Sequence, residues 1–165
     1  MELPKRKSIR LKSYDYSSNG AYFVTICSHN RKKLFGEIVG GFPNANVALN
    51  EKGEIINKII NSISDKYQSI KIDKYVIMPN HVHLIVIIEN VIGNPSPPEM
   101  LGNIIAWFKY QTTKEINQLQ NITGAKLWQR SYHDHIIRNE HVYKNIWEYI
   151  DTNPLKWELD CYHIR

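Results

Sequence analysis

Leu84-Ile85-Val86-Ile87-Ile88 is apolar at every position, and no other run constrains the fold as tightly. Alternate side chains of a strand point to opposite faces, so an all-apolar strand must be covered on both sides. The chain therefore needs a sheet with a layer against each face, at least at this strand. Upstream, Ile70-Lys71-Ile72-Asp73-Lys74-Tyr75-Val76-Ile77-Met78 reads as a second strand, joined to the first through Pro79-Asn80. Proline presets one turn dihedral and asparagine tolerates tight-turn backbone, which predicts a hairpin.

The remaining segments fall around this hairpin. Residues 1–20 read as a basic arm ending in the turn Ser17-Ser18-Asn19-Gly20, and Ala21 to Cys27 is a strand by its β-branched and aromatic content. Ile38-Val39 is a short, weak extended piece before the loop Gly40-Gly41-Phe42-Pro43-Asn44. From Asn50 to Tyr67, isoleucines 55, 56, 59, 60 and 63 recur at helical spacing. A second helix runs from Met100 to Gln118, with Leu101, Ile104, Ile105, Phe108, Thr112 and Ile116 on one face and Lys109 and Lys114 on the wet side. Leu127 to Arg138 reads as a fourth strand; Asn139 caps a last helix, with Glu140 in its first turn, and Pro154 ends it. The order β-α-β-β-α-β-α predicts an α+β, ferredoxin-like or RRM-like sandwich: a four-stranded antiparallel sheet, two helices on one face, and the last helix free to cover the other. At 165 residues the chain is expected to be one domain.

A net charge of +5 and a pI near 9.1 favour a polyanionic partner. Lys5, Arg6, Lys7, Arg10 and Lys12 crowd the first twelve residues, and Arg31, Lys32 and Lys33 follow the first strand. Each cluster suits phosphate contact, and each is equally readable as a solvated tail or turn. Ten Tyr, four Trp and four Phe offer surfaces on which unpaired bases stack. The only two cysteines, Cys27 and Cys161, lie far apart, and neither a signal peptide nor a run of about 18 apolar residues is visible. These observations predict a reduced, cytoplasmic protein and exclude a disulfide scaffold.

His81 and His83 open the all-apolar strand two residues apart, so both imidazoles can converge on one ion while Val82 between them enters the core. The turn just before them places the pair near the end of the sheet, within reach of a substrate. On the last helix Tyr149 and Asn153 are four apart and share a face, so both can address the same ion or phosphate. The plainer readings are polar residues on a half-exposed strand and a packed tyrosine before a helix-ending Asn-Pro. Taken together, the four residues suit one reaction. A phenol is a poor nucleophile at its ordinary pKa of about 10 and needs a nearby positive charge. A divalent ion held by two imidazoles and an amide oxygen supplies that charge and keeps positions open for phosphate oxygens. His133 and His135 form a second pair, but Asp134 replaces the apolar residue between them, which suggests a polar strand face. Tyr143 and Tyr132 are alternative nucleophiles, and Arg130, Lys109 and Arg138 are candidate phosphate contacts.

Met78-Pro79-Asn80-His81-Val82-His83-Leu84-Ile85, Tyr132-His133-Asp134-His135-Ile136-Ile137-Arg138 and Tyr149-Ile150-Asp151-Thr152-Asn153-Pro154 together resemble the single-tyrosine HUH transposases. Ser8-Ile9-Arg10-Leu11, Tyr14-Asp15-Tyr16 and Gly20-Ala21-Tyr22-Phe23-Val24-Thr25-Ile26 are similar to their REP-associated branch. The resemblance implies a metal-dependent, single-stranded-DNA endonuclease and strand transferase acting at hairpin or palindromic ends. Tyr149 is then the nucleophile that forms a 5′-phosphotyrosine, and His81, His83 and Asn153 hold Mg²⁺ or Mn²⁺. The imidazole-rich set by itself suits Mn²⁺ better, since Mg²⁺ prefers oxygen. The same resemblance gives Lys5, Arg6, Lys7, Arg10, Lys12, Arg130, His135 and Arg138 a use as DNA contacts, and it leaves monomer and homodimer both open. Two other classes fit the sequence: an RRM-like module that binds single strands without cutting them, and a metallohydrolase that uses the histidine pair to activate water.

Overall fold

The computed structural model describes residues 15, 18–89 and 99–163. Its elements are β1 (Gly20–Cys27), β2 (Gly36–Val39), β3 (Asn46–Leu49), α1 (Glu51–Lys66), β4 (Ile70–Met78), β5 (His81–Ile88), α2 (Leu101–Leu119), β6 (His133–Ile137), α3 (Glu140–Thr152) and a closing 3-10 turn, Pro154–Leu159. Four strands form one antiparallel sheet in the order β4-β5-β1-β6, the order a ferredoxin-like sandwich requires.

The period-two pattern of β5 decides what lies on each face. Val82, Leu84, Val86 and Ile88 join Tyr22, Val24 and Ile26 of β1 under α1 and α2, whose Ile56, Ile59, Ile60, Ile104, Ile105 and Phe108 complete the larger core. Ile85 and Ile87 point the other way and meet Val142, Ile146 and Ile150 of α3. The two-sided covering expected from the apolar run is therefore supplied by helices on both faces. On the α3 face the same alternation continues back through His83 and His81, which makes α3 their neighbour.

The two-residue turn Pro79-Asn80 is pinned by main-chain bonds. Ser28 N–H donates to the Asn80 carbonyl at 2.9 Å, and Leu34 and Phe35 N–H both donate to that of Pro79. The cap read in the sequence is present, Asn139 accepting from Val142 N–H, and α1 has one as well, Asn50 accepting from Lys52 and Gly53 N–H.

Three expectations need correction. Ile38-Val39 belongs to a two-stranded hairpin, β2–β3, that pairs apart from the main sheet. Gly53 of α1 leaves room for the chain entering and leaving this hairpin: a Cβ there would meet the Phe35 carbonyl oxygen at 2.2 Å and the Leu49 side chain at 3.0 Å. The strand read over Leu127–Arg138 shrinks to β6 plus a lone bridge between Trp128 and Ser28. Between them the chain leaves the ladder, since Lys109 Nζ donates to the carbonyls of Gln129, Arg130 and Ser131 at 2.9, 3.3 and 3.2 Å. Lys109, expected on the wet side as a phosphate contact, is thus a clamp on this segment. Pro154 ends α3 as expected and also starts the 3-10 turn, and residues 154–163 fold back over the end of the sheet that carries the histidines.

Candidate metal centre

His81 and His83 face each other across a short gap, their Nε2 atoms 3.1 Å apart. Two ligand atoms each about 2.1 Å from an ion and at right angles lie about 3 Å apart, so the spacing fits a shared cation. What holds each ring from behind also fits. Asn80 Nδ2 donates to the carbonyls of Arg31 and Tyr162, at 3.1 and 2.8 Å, so its Oδ1 is an acceptor. His81 Nδ1 lies 2.8 Å from that oxygen and is therefore the protonated nitrogen, leaving the Nε2 lone pair in the gap. His83 Nδ1 is held by Thr25 Oγ1 at 2.8 Å, a partner that can accept its proton in the same way. Thr25 and Cys27 of β1 stand opposite His83 and His81 in the register.

Both imidazoles are essentially fully buried, at 0 % and 1 % exposed. Burial pulls the His81 pKa down to about 4; the Asp160 carboxylate opposes that shift and Arg31 reinforces it. His83 is held well below the usual histidine range, first by burial and then by His81. Both rings are thus neutral at pH 7, the state that binds metals. For the same reason the 3.9 Å approach of Asp160 Oδ2 to His81 Nε2 is no ion pair at that pH.

Tyr149 stands where the helix face predicts. Its hydroxyl lies 3.4 Å from His83 Nε2, and its ring meets those of His83 and Phe23 edge-on at 5.2 and 6.1 Å between centroids. It is 37 % exposed, so solvent reaches the phenol. Its pKa is pushed up to about 12, mainly by burial and next by the negative charge of Asp160, with Asn153 acting in the opposite sense. Without a cation the phenol is therefore a worse nucleophile than free tyrosine. Asn153 is 2 % exposed, and its Oδ1 is buried with no hydrogen-bond partner.

Among the described residues, His81, His83 and Asp160 gather three potential ligand atoms within 4.8 Å of one another. Two neutral imidazoles and the unpartnered Asp160 oxygen make a set that a divalent cation would satisfy, and the unpartnered Asn153 oxygen stands one helical turn after Tyr149.

Other expected residues are spread more widely. His135 is exposed on β6, level with Phe23 and on the same face as the histidine pair. Arg130 is exposed at the same end of the sheet as the pair. Arg138 is exposed beyond the opposite end of β6; His133, level with Thr25 and so with His83, is five residues away, roughly 16 Å along a strand. Lys5, Arg6, Lys7, Arg10 and Lys12 lie outside the described residues. Tyr143 bonds to Asp73, and Tyr132 packs against the core beneath α1 and α2, so neither alternative nucleophile faces the pair. The expected access from the turn is corrected too, because the C-terminal segment covers both imidazoles. Tyr162 lies 4.8 and 5.8 Å from the two rings and Trp157 6.0 Å from His81. Three participants escaped the sequence reading: Asn80, Thr25 and Asp160. Thr25, the polar residue between Val24 and Ile26, carried a signal in its pattern. Asp160 carried none.

Known proteins agree with this picture. Residues 16–153 match the profile of the family described as "Transposase IS200 like". A Haemophilus influenzae protein of uncharacterised function is 38% identical over 174 aligned residues, covering 96% of this chain and 93% of that one. A REP-associated tyrosine transposase, solved bound to a REP hairpin, superposes with a TM-score of 0.60 at 20% identity, over 95% of this chain and 74% of its own. A Deinococcus radiodurans protein assigned as a transposase superposes with a TM-score of 0.50 at 16% identity, over 87% and 95%. At those identities the two likenesses are likenesses of fold, and the family rests on the profile match. A four-stranded sheet carrying a histidine pair, faced by a helix carrying a tyrosine, is thus the architecture of a chain that belongs to the IS200-like transposases.

Proposed function

We propose that this chain is a divalent-metal-dependent, single-stranded-DNA endonuclease and strand transferase of the REP-associated kind, acting at hairpin or palindromic ends with Tyr149 as nucleophile. The observation that carries the reading is the approach of the Tyr149 hydroxyl to His83 Nε2, whose neighbour is His81 Nε2. His81, His83 and Asn153 would hold the ion, Mg²⁺ or Mn²⁺, with Mn²⁺ the better match to two imidazoles. When bound, it supplies the positive charge that favours phenolate and offsets charge growing on the phosphate.

The residues then divide the work. Tyr149 Oη loses its proton to the solvent that reaches it and attacks phosphorus. A bond from Oη to phosphorus forms, the bond to the 3′ oxygen breaks, and that oxygen takes up a proton. The result is a 5′-phosphotyrosine and a free 3′-hydroxyl. Attack by another 3′-hydroxyl reverses the step and releases Tyr149, so strands rejoin without a nucleotide cofactor. Asn80 and Thr25 fix the two imidazoles from behind, and α3 fixes the phenol. Exposed His135 flanks the site and suits the single strand leading to it, while exposed Arg130, beside Lys109 and Tyr110 of α2, is proposed as a more distant phosphate contact. The basic arm, Lys5 to Lys12, and Arg138 are proposed to hold the hairpin by its phosphates. The REP hairpin in the structural neighbour supports a hairpin as the DNA partner.

The test is a denaturing gel of the protein mixed with labelled single-stranded hairpins from its own flanking DNA, with and without Mn²⁺. A covalent protein–DNA band that needs Mn²⁺, and that Tyr149→Phe loses while still retarding the hairpin on a native gel, is the expected result. Hairpin binding with no cleavage in any condition would leave an RRM-like binding module. Cleavage to free ends that survives in Tyr149→Phe would leave a water-using hydrolase.

A further inference from the structure

The mechanism above has no use for Asp160, yet its side chain is 1 % exposed and one oxygen, Oδ2, is buried without a hydrogen-bond partner. A carboxylate buried with a free oxygen is costly unless a cation or donor meets it. The other oxygen is committed: Oδ1 accepts from Tyr162 N–H at 2.7 Å, which fixes the direction of the group. Main-chain bonds from Asp160 N–H to the Trp157 carbonyl and from His163 N–H to the Asp160 carbonyl fix the turn around it. Oδ2 is thereby held 3.9 Å from His81 Nε2.

The segment bearing it is seated by the site's own turn. The Asn80 side chain that orients His81 also donates to the Tyr162 carbonyl. Arg31 lies 5.5 Å over the Tyr162 ring and Lys33 lies 5.8 Å over that of Trp157. One hairpin turn thus aligns an imidazole and a carboxylate that are 79 residues apart in the chain.

We propose that Asp160 is a further ligand of the ion, a carboxylate that the C-terminal segment adds to His81, His83 and Asn153. The proposal rests on the metal-dependent reading of the site. Two imidazoles with a carboxylate and an amide oxygen form a mixed nitrogen–oxygen set suited to Mn²⁺ or Fe²⁺. Four protein ligands leave about two positions of a six-coordinate ion for phosphate oxygens.

Mn²⁺ binding to the full chain, measured by calorimetry and by loss of the free-ion EPR signal, tests this directly. Asp160→Asn keeps an acceptor for Tyr162 N–H and removes the charge; Asp160→Ser keeps an acceptor on a shorter chain and guards against a local folding defect. Both are expected to weaken Mn²⁺ binding roughly tenfold or more, since even residues that only support ligands cost 10–100-fold. His81→Ala is expected to lose binding altogether. Binding in Asp160→Asn within twofold of wild type, with His81→Ala still deficient, would overturn the proposal and leave the metal reading standing. So would unchanged binding with faster hairpin cleavage, which would make the segment a cover. A wild-type chain that binds no Mn²⁺ would sink the metal reading itself, and this proposal with it.

Discussion

Replacing Asn80 by alanine would strand three groups at once: the His81 Nδ1 proton and the carbonyls of Arg31 and Tyr162. Each lost partner in a buried place costs about 1–3 kcal/mol, so Asn80→Ala should destabilise the fold by about 3 kcal/mol or more in urea unfolding. Because the same amide fixes the tautomer of His81, Mn²⁺ affinity should fall by roughly 10–100-fold as well. Acid sensitivity is a second consequence at this scale. The folded pKa of His81, about 4, lies below its ordinary 6.5, so the unfolded chain takes up the proton first. Its contribution is intact above pH 6.5 and is lost as pH falls towards 4, by roughly 3 kcal/mol at most. Thermal melts of the metal-free protein from pH 7 to pH 4 should show this loss, with a shallower slope in His81→Gln. The histidine pair and Tyr149 were legible because their spacings, two on a strand and four to Asn153 on a helix, are local. Asn80 read only as a turn residue, since its acceptors, Arg31 and Tyr162, lie far off in the chain. Asp160 was illegible for a similar reason: it depends on the path of the chain after Pro154.

Among the elements, α3 makes the chemistry geometrically possible, since its apolar seam sets how Tyr149 meets the sheet. Ile150 is fully buried against Ile85 and Ile137, which turns the adjacent Tyr149 towards His83. The helix begins at a single side-chain cap, Asn139 to Val142 N–H at 2.9 Å. Asn139→Ala should therefore cost about 1 kcal/mol, seen as a lower urea midpoint with an unchanged slope, and Asn139→Ser should restore it. Long periodic elements such as α1 and α2 were readable because burial of one face imposes the pattern. The β2–β3 hairpin was not, since each strand has only four residues and no completely buried face. Residues 129–131 defeated the strand reading because their carbonyls turn to Lys109, a partner about twenty positions back in the sequence.

For the molecule as a whole, one sheet separates two tasks. The face under α1 and α2 holds the larger core, while the α3 face holds a smaller core and, at one end, the polar site. This division was already implied by the apolar run of β5, which demanded cover on both sides while its first residues brought two imidazoles to one of them. No described helix is long and apolar enough to cross a membrane. The central claim is that Tyr149, and no other tyrosine, reacts beside the paired imidazoles. Trypsin makes it directly testable, because cleavage after Arg130, Arg138, Lys144 and Lys156 puts Tyr132, Tyr143 and Tyr149 on three different peptides. Mass spectrometry of the protein–DNA adduct formed with Mn²⁺ should find the nucleotide on the peptide spanning residues 145–156. A nucleotide on any other peptide, the one carrying Tyr162 after Lys156 included, or an equal yield without a divalent ion, would contradict the account.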